Sequence, residues 1–413
     1  MRRRQLTANA EASISRSPDK PDNAPAQNAP TPVGWPSNGV ASNPTDSRPW
    51  SEGAVRSGGT QGALHIIRRG RNQLRWSGKG RYPGVGQVAC PHDDHPELTP
   101  SGPNLVIAAL AGGVGAARLL RGLVEVVPPS EITAIVNTGD DTNLHGLHIA
   151  PDLDTVMYTL ADAINPDTGW GLSGETFQVM DSLERLGGIT WFRLGDRDLA
   201  THCYRTQRLA EGATLGEVTS ELARAWGVDV RLVPVTDDRL RTRLQLADGP
   251  EVGFQEYFVR LRHGVPVSGV RFEGADQARP GAGVLDALAG AETIVVCPSN
   301  PVVSIGPLLA VPGVLDQLRR RRLRTVGVSP IIAGAALKGP ADRLMREMGY
   351  ESSVVGVARW YASWVGTLVI DEADAGLAPA VEAEGVRCIV APTVMSNVER
   401  SARLSLAVLD AVA

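Results

Sequence analysis

The chain has 413 residues, 43% hydrophobic and 21% charged, enough apolar material for a large α/β domain or for two to three smaller ones. A net charge of −4 gives no chain-wide electrostatic footprint for nucleic acid, and no apolar run nears the roughly 20 residues that span a bilayer. Cys90, Cys203, Cys297 and Cys388 show no pairing pattern and suit a reducing compartment. The opening MRRRQL is not followed by the apolar stretch that an export signal needs, so the chain reads as cytoplasmic.

Residues 1–103 differ from the rest. They are rich in Pro, Gly, Ser, Asn and Arg, poor in aliphatic runs, and carry a net charge of +5 against −9 for the remainder. Such a segment cannot bury enough apolar area to offset the entropy of ordering, and it reads as a disordered extension. A Gly-spaced basic cluster from Arg68 to Arg81 reads as a solvated patch. Cys90, His92 and His95 resemble metal ligands but supply no closed zinc spacing.

At residue 104 the character changes. Leu105 to Leu110 is a short apolar run ending in glycines, as expected of a buried parallel strand, and Ala116, Leu119, Leu120, Leu123 and Val124 recur at helical spacing until Pro128-Pro129. Further strands are predicted at 132–136, 293–296, 325–328, 367–370 and 388–390, mostly separated by helical segments, with a last helix over 397–412. This alternation predicts an α/β fold with a doubly wound, mostly parallel sheet covered on both faces. The stretch of about 155–285 reads as a mainly helical insertion, with short strands near 230–233 and 243–246.

Between the first strand and helix lies Ala111-Gly112-Gly113-Val114-Gly115, followed by Arg118. Glycines admit a phosphate to the backbone, and a helix N-terminus offers free N–H groups. The run is neither a complete Walker loop nor the full dinucleotide fingerprint, and a tight structural turn explains it equally well. Asn137-Thr138-Gly139-Asp140-Asp141 follows the second strand, where doubly wound sheets bind ligands. Pro151-Asp152-Leu153-Asp154-Thr155 follows; if extended, it points both carboxylates to one side, and if helical, one of them caps the helix. Two carboxylate pairs within 15 residues suit a hard, oxygen-loving cation such as Mg²⁺.

Arg193-Leu194-Gly195-Asp196-Arg197-Asp198, running on to His202, reads as a strand-like end at Trp191-Phe192 entering a capped helix. Phe254-Gln255-Glu256-Tyr257-Phe258-Val259 alternates like a core strand, yet its aromatics also suit stacking on a flat heterocycle. Pro298-Ser299-Asn300-Pro301 and Ser329-Pro330-Ile331-Ile332-Ala333-Gly334 are turn-rich segments after predicted strands, and Lys338 is a candidate counter-charge.

In order, AGGVGAARLLRGL, NTGDD, PDLDTVMYTL, RLGDRDLATH, FQEYFV, PSNPVVSIGP and SPIIAGAALKGPA resemble the 2-phospho-L-lactate transferase family of coenzyme F420 biosynthesis, whose actinobacterial members use a phosphoenolpyruvyl donor. The resemblance covers residues 104–413. It implies a Rossmann-like core, a homodimer, and Mg²⁺-dependent transfer of a three-carbon acid phosphate from a guanosine-diphospho donor to a ribityl hydroxyl of the deazaflavin Fo, with release of GMP. By the same resemblance Asp154 and Arg193 contact Fo beside Phe254 and Glu256, and Asp141 and Asp154 lie at the metal. The resemblance also implies that Gly112, Gly113, Gly115, Ser299, Asn300, Ser329 and Gly334 hold the guanosine diphosphate portion; the chemistry of phosphoryl transfer adds Arg118 or Arg197 on the phosphate oxygens and Asp154 as hydrogen-bond acceptor for the attacking hydroxyl.

Two rivals share the glycine loop. A nucleotide-sugar or dinucleotide-binding regulator has no need of the FQEYFV and LGDRDLATH segments. An NAD-dependent dehydrogenase needs the full GxGxxG and an acidic residue ending its second strand, where this chain has NTGDD.

Overall fold

Alternation along the strand β1 (Ile107–Ala111) sets the architecture. Ile107, Ala109 and Ala111 enter one apolar cluster, and Ala108 and Leu110 enter another on the opposite face. Successive side chains of a strand point to opposite faces, so a strand buried on both must be apolar throughout. The computed structural model describes residues 106–412. The expectations of a disordered extension, a basic patch and a Cys90–His95 cluster lie outside the described residues.

From β1 the chain passes through α1 (Gly113–Val126) to β2 (Ile132–Val136), a small hairpin of β3 (Thr142–Leu144) and β4 (Leu147–Ile149), and four helices. These are α2 (Pro151–Leu160), α3 (Gln178–Arg185), α4 (Asp196–Ala210) and α5 (Leu215–Ala225). Next come β5 (Arg231–Pro234) and an antiparallel sheet of β6 (Arg241–Leu246), β7 (Glu251–Gly253) and β8 (Val267–Glu273). The second half runs α6 (Val284–Gly290), β9 (Thr293–Val296), α7 (Gly306–Ala310), α8 (Val314–Arg320) and β10 (Thr325–Val328). It ends with a two-stranded hairpin, β11 (Ile331–Ile332) and β12 (Ala335–Ala336), then α9 (Ala341–Glu347), α10 (Val354–Tyr361), β13 (Thr367–Ile370), α11 (Ala378–Ala383), β14 (Arg387–Val390) and α12 (Val398–Asp410).

The main sheet has seven strands in the order β5-β2-β1-β9-β10-β13-β14, and every pairing is parallel. This is the doubly wound order with one strand added, and its direction of growth reverses between β1 and β9. The expected fold class is therefore present. The 155–285 stretch is helical only in its first half: β5 joins the main sheet as an edge strand, and β6 to β8 form a separate sheet.

Three local expectations are corrected. The PDLDT segment is not extended; Ala150 caps α2 and both aspartates lie in its first turn. The FQEYFV segment is not a strand: a short helical turn at Phe254-Gln255 runs into a wide π-helical turn, Glu256–Arg260, and Phe254 stacks on Phe258 at 5.5 Å. Trp191-Phe192 belong to no strand and lead by an irregular turn into α4.

Candidate functional site

The reversal between β1 and β9 brings two loops together. A Cβ added to Gly115 would lie 2.2 Å from the carbonyl oxygen of Pro298, and one added to Gly112 would lie 2.7 Å from Ser304 Cβ. Gly113 has φ +73, the left-handed region that glycine enters without penalty. All three glycines thus answer to packing or backbone geometry. The same geometry leaves the N-terminus of the 14-residue α1 with no side-chain cap and no acidic residue in its first turn. Asp152 already accepts from the N–H of Gly113 there, and the remaining first-turn N–H groups with the partial positive charge form an anion-receptive end beside the β9 loop.

That end opens into a cavity of about 650 Å³. Asn300 sits on its wall and caps the π-helical turn Pro301–Ile305, its Oδ1 accepting from the N–H groups of Val302 (3.0 Å) and Val303 (3.4 Å). Ser299 Oγ, also on the wall, is buried with no hydrogen-bond partner among the described residues. Ser329 spends its hydroxyl on the backbone of Ile331.

The carboxylates fall into separate groups. Asn137 donates from Nδ2 to Asp152 Oδ2 (2.9 Å) and accepts from the N–H of Gly139 (2.8 Å), tying α2 to the loop after β2. Burial raises Asp152 to about 7, against the Asn137 hydrogen bond, with Asp141 adding repulsion. Burial and the nearby Asp152 also push Asp140 well above the usual carboxylate range, and its Oδ1 has no partner among the described residues. Asp154, by contrast, is paired: buried Arg205 of α4 donates to both of its oxygens, Nη1 to Oδ2 at 3.2 Å. Asp141 Oδ2 lies 2.9 Å from His148 Nε2.

Around the Asp154–Arg205 pair lies a network that the sequence reading left without roles. Tyr158 donates to Asp198 Oδ1 (2.7 Å), and His202 Nε2 lies 3.4 Å from Asp198 Oδ2. Burial opposes ionisation of Asp198, yet hydrogen bonding to His202 and Tyr158 holds it below the usual carboxylate range. Asp154, Asp198 and His202 bring their ligand atoms within 4.8 Å of one another. Arg205 on both oxygens of Asp154 sets a fixed positive charge there, which disfavours a second cation. The spacing of Asp198, His202 and Arg205 along one helix was a visible signal: positions three and four apart share a face.

The cavity wall therefore unites Gly112, Gly113, Gly115, Arg118, Asp154, Arg193, Phe254, Ser299, Asn300 and Ser329. Arg193 donates to Asp181 (2.8 Å) and lies 4.9 Å from the centroid of the Phe177 ring. Asp141 and Glu256 face an adjoining cavity of about 360 Å³, which shares Asp140, Phe254 and Gln255 with the first. Arg197 and Gly334 line neither; Arg197 Nη1 donates to the carbonyl of Ser173 (2.8 Å), and Gly334 forms the turn of the β11–β12 hairpin. Trp170, half exposed on the wall, was not singled out from sequence.

The sequence matches the family described as 2-phospho-L-lactate transferase CofD over residues 107–390. A phosphoenolpyruvate transferase of Streptomyces griseus is 47% identical over 310 residues, covering 74% of this chain and 97% of that protein. One from Mycolicibacterium smegmatis is 41% identical over 319 residues, covering 74% and 98%. The crystal structure of a Bacillus halodurans protein, 20% identical, covers 74% of this chain and 100% of that one with a TM-score of 0.50, a likeness of fold alone. The chain belongs to the 2-phospho-L-lactate transferase CofD family.

Proposed function

We propose that the chain transfers a phosphoenolpyruvyl group from a guanosine-diphospho donor to the ribityl hydroxyl of Fo, releasing GMP. Enolpyruvate rather than lactate is chosen because the similar proteins of Streptomyces griseus and Mycolicibacterium smegmatis carry the name phosphoenolpyruvate transferase. One observation supports the reading: a single cavity joins the N-terminus of α1, which suits a diphosphate, to Asp154, Arg193 and Phe254, which suit a flat heterocycle with a polar arm.

In the proposed step a bond forms from the ribityl oxygen to the phosphorus that bears the three-carbon acid. The bond from that phosphorus to the GMP oxygen breaks, its electron pair leaving with GMP, and the hydroxyl proton is released to solvent. The first-turn N–H groups of α1 and Arg118 hold the phosphate oxygens, and Asp154, steadied by Arg205, accepts a hydrogen bond from the attacking hydroxyl. Phosphoryl transfer requires little beyond such positioning and charge stabilisation.

A divalent cation fits the residues present. Asp140 and Asp152 are buried together, each raised by the burial of its charge, and Asp140 Oδ1 lacks a partner among the described residues. Of the pair expected from sequence, Asp154 is neutralised by Arg205, whereas Asp140 and Asp152 have only neutral hydrogen-bond partners among the described residues, so we assign these two to Mg²⁺, with Asp141 alongside. Bound there, Mg²⁺ supplies positive charge against the diphosphate.

The test is turnover with Fo, Mg²⁺ and either the enolpyruvyl or the lactyl guanosine-diphospho donor, read by GMP release and product mass. The expected product is Fo plus the phosphoenolpyruvyl mass. Absence of GMP release with both donors, together with absence of Fo binding by fluorescence, would replace this reading with a nucleotide-binding regulator.

A further inference from the structure

Three cations line the main cavity: Arg118, Arg193 and Lys338. Arg193 is committed to Asp181 and the Phe177 ring, and among the described residues Arg118 reaches the carbonyl of Met395 alone, at 3.5 Å. Lys338 has no hydrogen-bond or acidic partner among the described residues. Its place is defined by Gly169: a Cβ built there would lie 3.3 Å from Lys338 Nζ and also 3.3 Å from Val114 Cγ1. The ammonium therefore lies on the cavity wall beside the first turn of α1.

The segment that carries Lys338 is anchored. At the tip of the β11–β12 hairpin the N–H of Ala333 donates to Asp374 Oδ2 (2.9 Å), and Ser352 Oγ donates to the carbonyl of Gly334 (3.1 Å). Beyond the hairpin, Pro340 and Ala341 are buried. Between these two fixed ends Leu337 and Lys338 are exposed, so the backbone is held while the lysine chain projects over the cavity. The ammonium thus keeps its charge free for an anion that enters the cavity.

We propose that Lys338 contacts the outer phosphoryl group of the donor, the group that is transferred, from the cavity rim beside the first turn of α1. The proposal rests on the transferase reading above. As the bond to GMP breaks and the bond to the ribityl oxygen forms, Lys338 exchanges no proton; it stabilises the oxygens of the phosphorus in transit, as a point charge.

Binding of GDP and GMP by calorimetry, with Mg²⁺ present, separates the possibilities, because GMP lacks the outer phosphate. Lys338 is exposed, so K338Q leaves the fold intact. The expected result is GDP affinity lowered about ten- to a hundred-fold in K338Q, with GMP affinity within about twofold, and K338R restoring GDP binding to within about threefold of wild type. Unchanged GDP binding in K338Q overturns the proposal, as does equal weakening of GDP and GMP or failure of K338R to restore. Wild-type protein that binds neither nucleotide overturns the transferase reading itself, and this proposal with it.

Discussion

At the scale of single residues, charge balance decides which carboxylate does what. Asp154 and Asp152 are two positions apart on α2 and face different partners: Arg205 of α4 for one, Asn137 and the buried Asp140 for the other. The short motifs NTGDD and PDLD made the carboxylates visible in the sequence. Their pairing was not, because Arg205 lies 51 residues from Asp154 and Asn137 lies 15 from Asp152. A consequence follows for pH. Asp152 is raised to about 7 in the fold, against about 3.9 in an unfolded chain. A raised acid contributes stability that is fully present below pH ~4 and lost as pH rises through ~7. Metal-free protein should therefore be handicapped at pH 8 relative to pH 5, and Mg²⁺ should raise the melting temperature far more at pH 8. Asp152→Asn should raise the metal-free melting temperature at pH 8 and abolish most of the Mg²⁺ response. A variant still stabilised by Mg²⁺ as strongly as wild type would remove Asp152 from the metal site.

At the scale of elements, the parallel strands were legible because a strand buried on both faces must be a short continuous apolar run, and Ile132–Val136, Thr293–Val296 and Thr367–Ile370 each stand between turn residues. The Phe254–Val259 segment misled because its residues fit alternation, while the Phe254–Phe258 stack is equally a spacing of one helical turn. Nor did the local pattern show that β5 leaves the inserted stretch for the main sheet. Helix–helix contacts are likewise silent in a single sequence, and the tightest one bears on the site. A Cβ built on Gly122 of α1 would lie 2.3 Å from the backbone carbon of Ser401 in α12, and Ser405 Oγ reaches the carbonyl of Leu119 (3.5 Å). Gly122→Ala gains about 1 kcal/mol of helix propensity, yet the overlap is with backbone, which cannot swing aside. The overlap should prevail, with net destabilisation of about 1–3 kcal/mol by chemical denaturation. Because α1 presents its N-terminus to the cavity, GDP affinity should fall as well. A stabilised Gly122→Ala protein would show that the helices sit farther apart than described.

At the scale of the whole molecule, composition, family match and core geometry draw the same boundary. The family match begins at residue 107, where β1 begins, and the Streptomyces griseus protein is covered over 97% of its length by 74% of this chain. The core clusters fill both faces of the sheet from residues of β1 onward. Residues 1–103 add a net charge of +5 to a body of −9 and supply few aliphatic residues with which to extend that core. Removing them should leave the melting temperature within about 2 °C of the full chain, since changes that touch no core, cap or buried polar group cost little. Turnover with Fo and the guanosine-diphospho donor should likewise stay within about twofold, because every residue assigned to the cavity lies beyond position 111. The same deletion leaves a body of net charge −9, so any low-salt association with polyanions by the full chain should weaken with it. A truncated protein that melts many degrees lower, or loses affinity for Fo, would place part of the first hundred residues against the catalytic body and redraw the boundary.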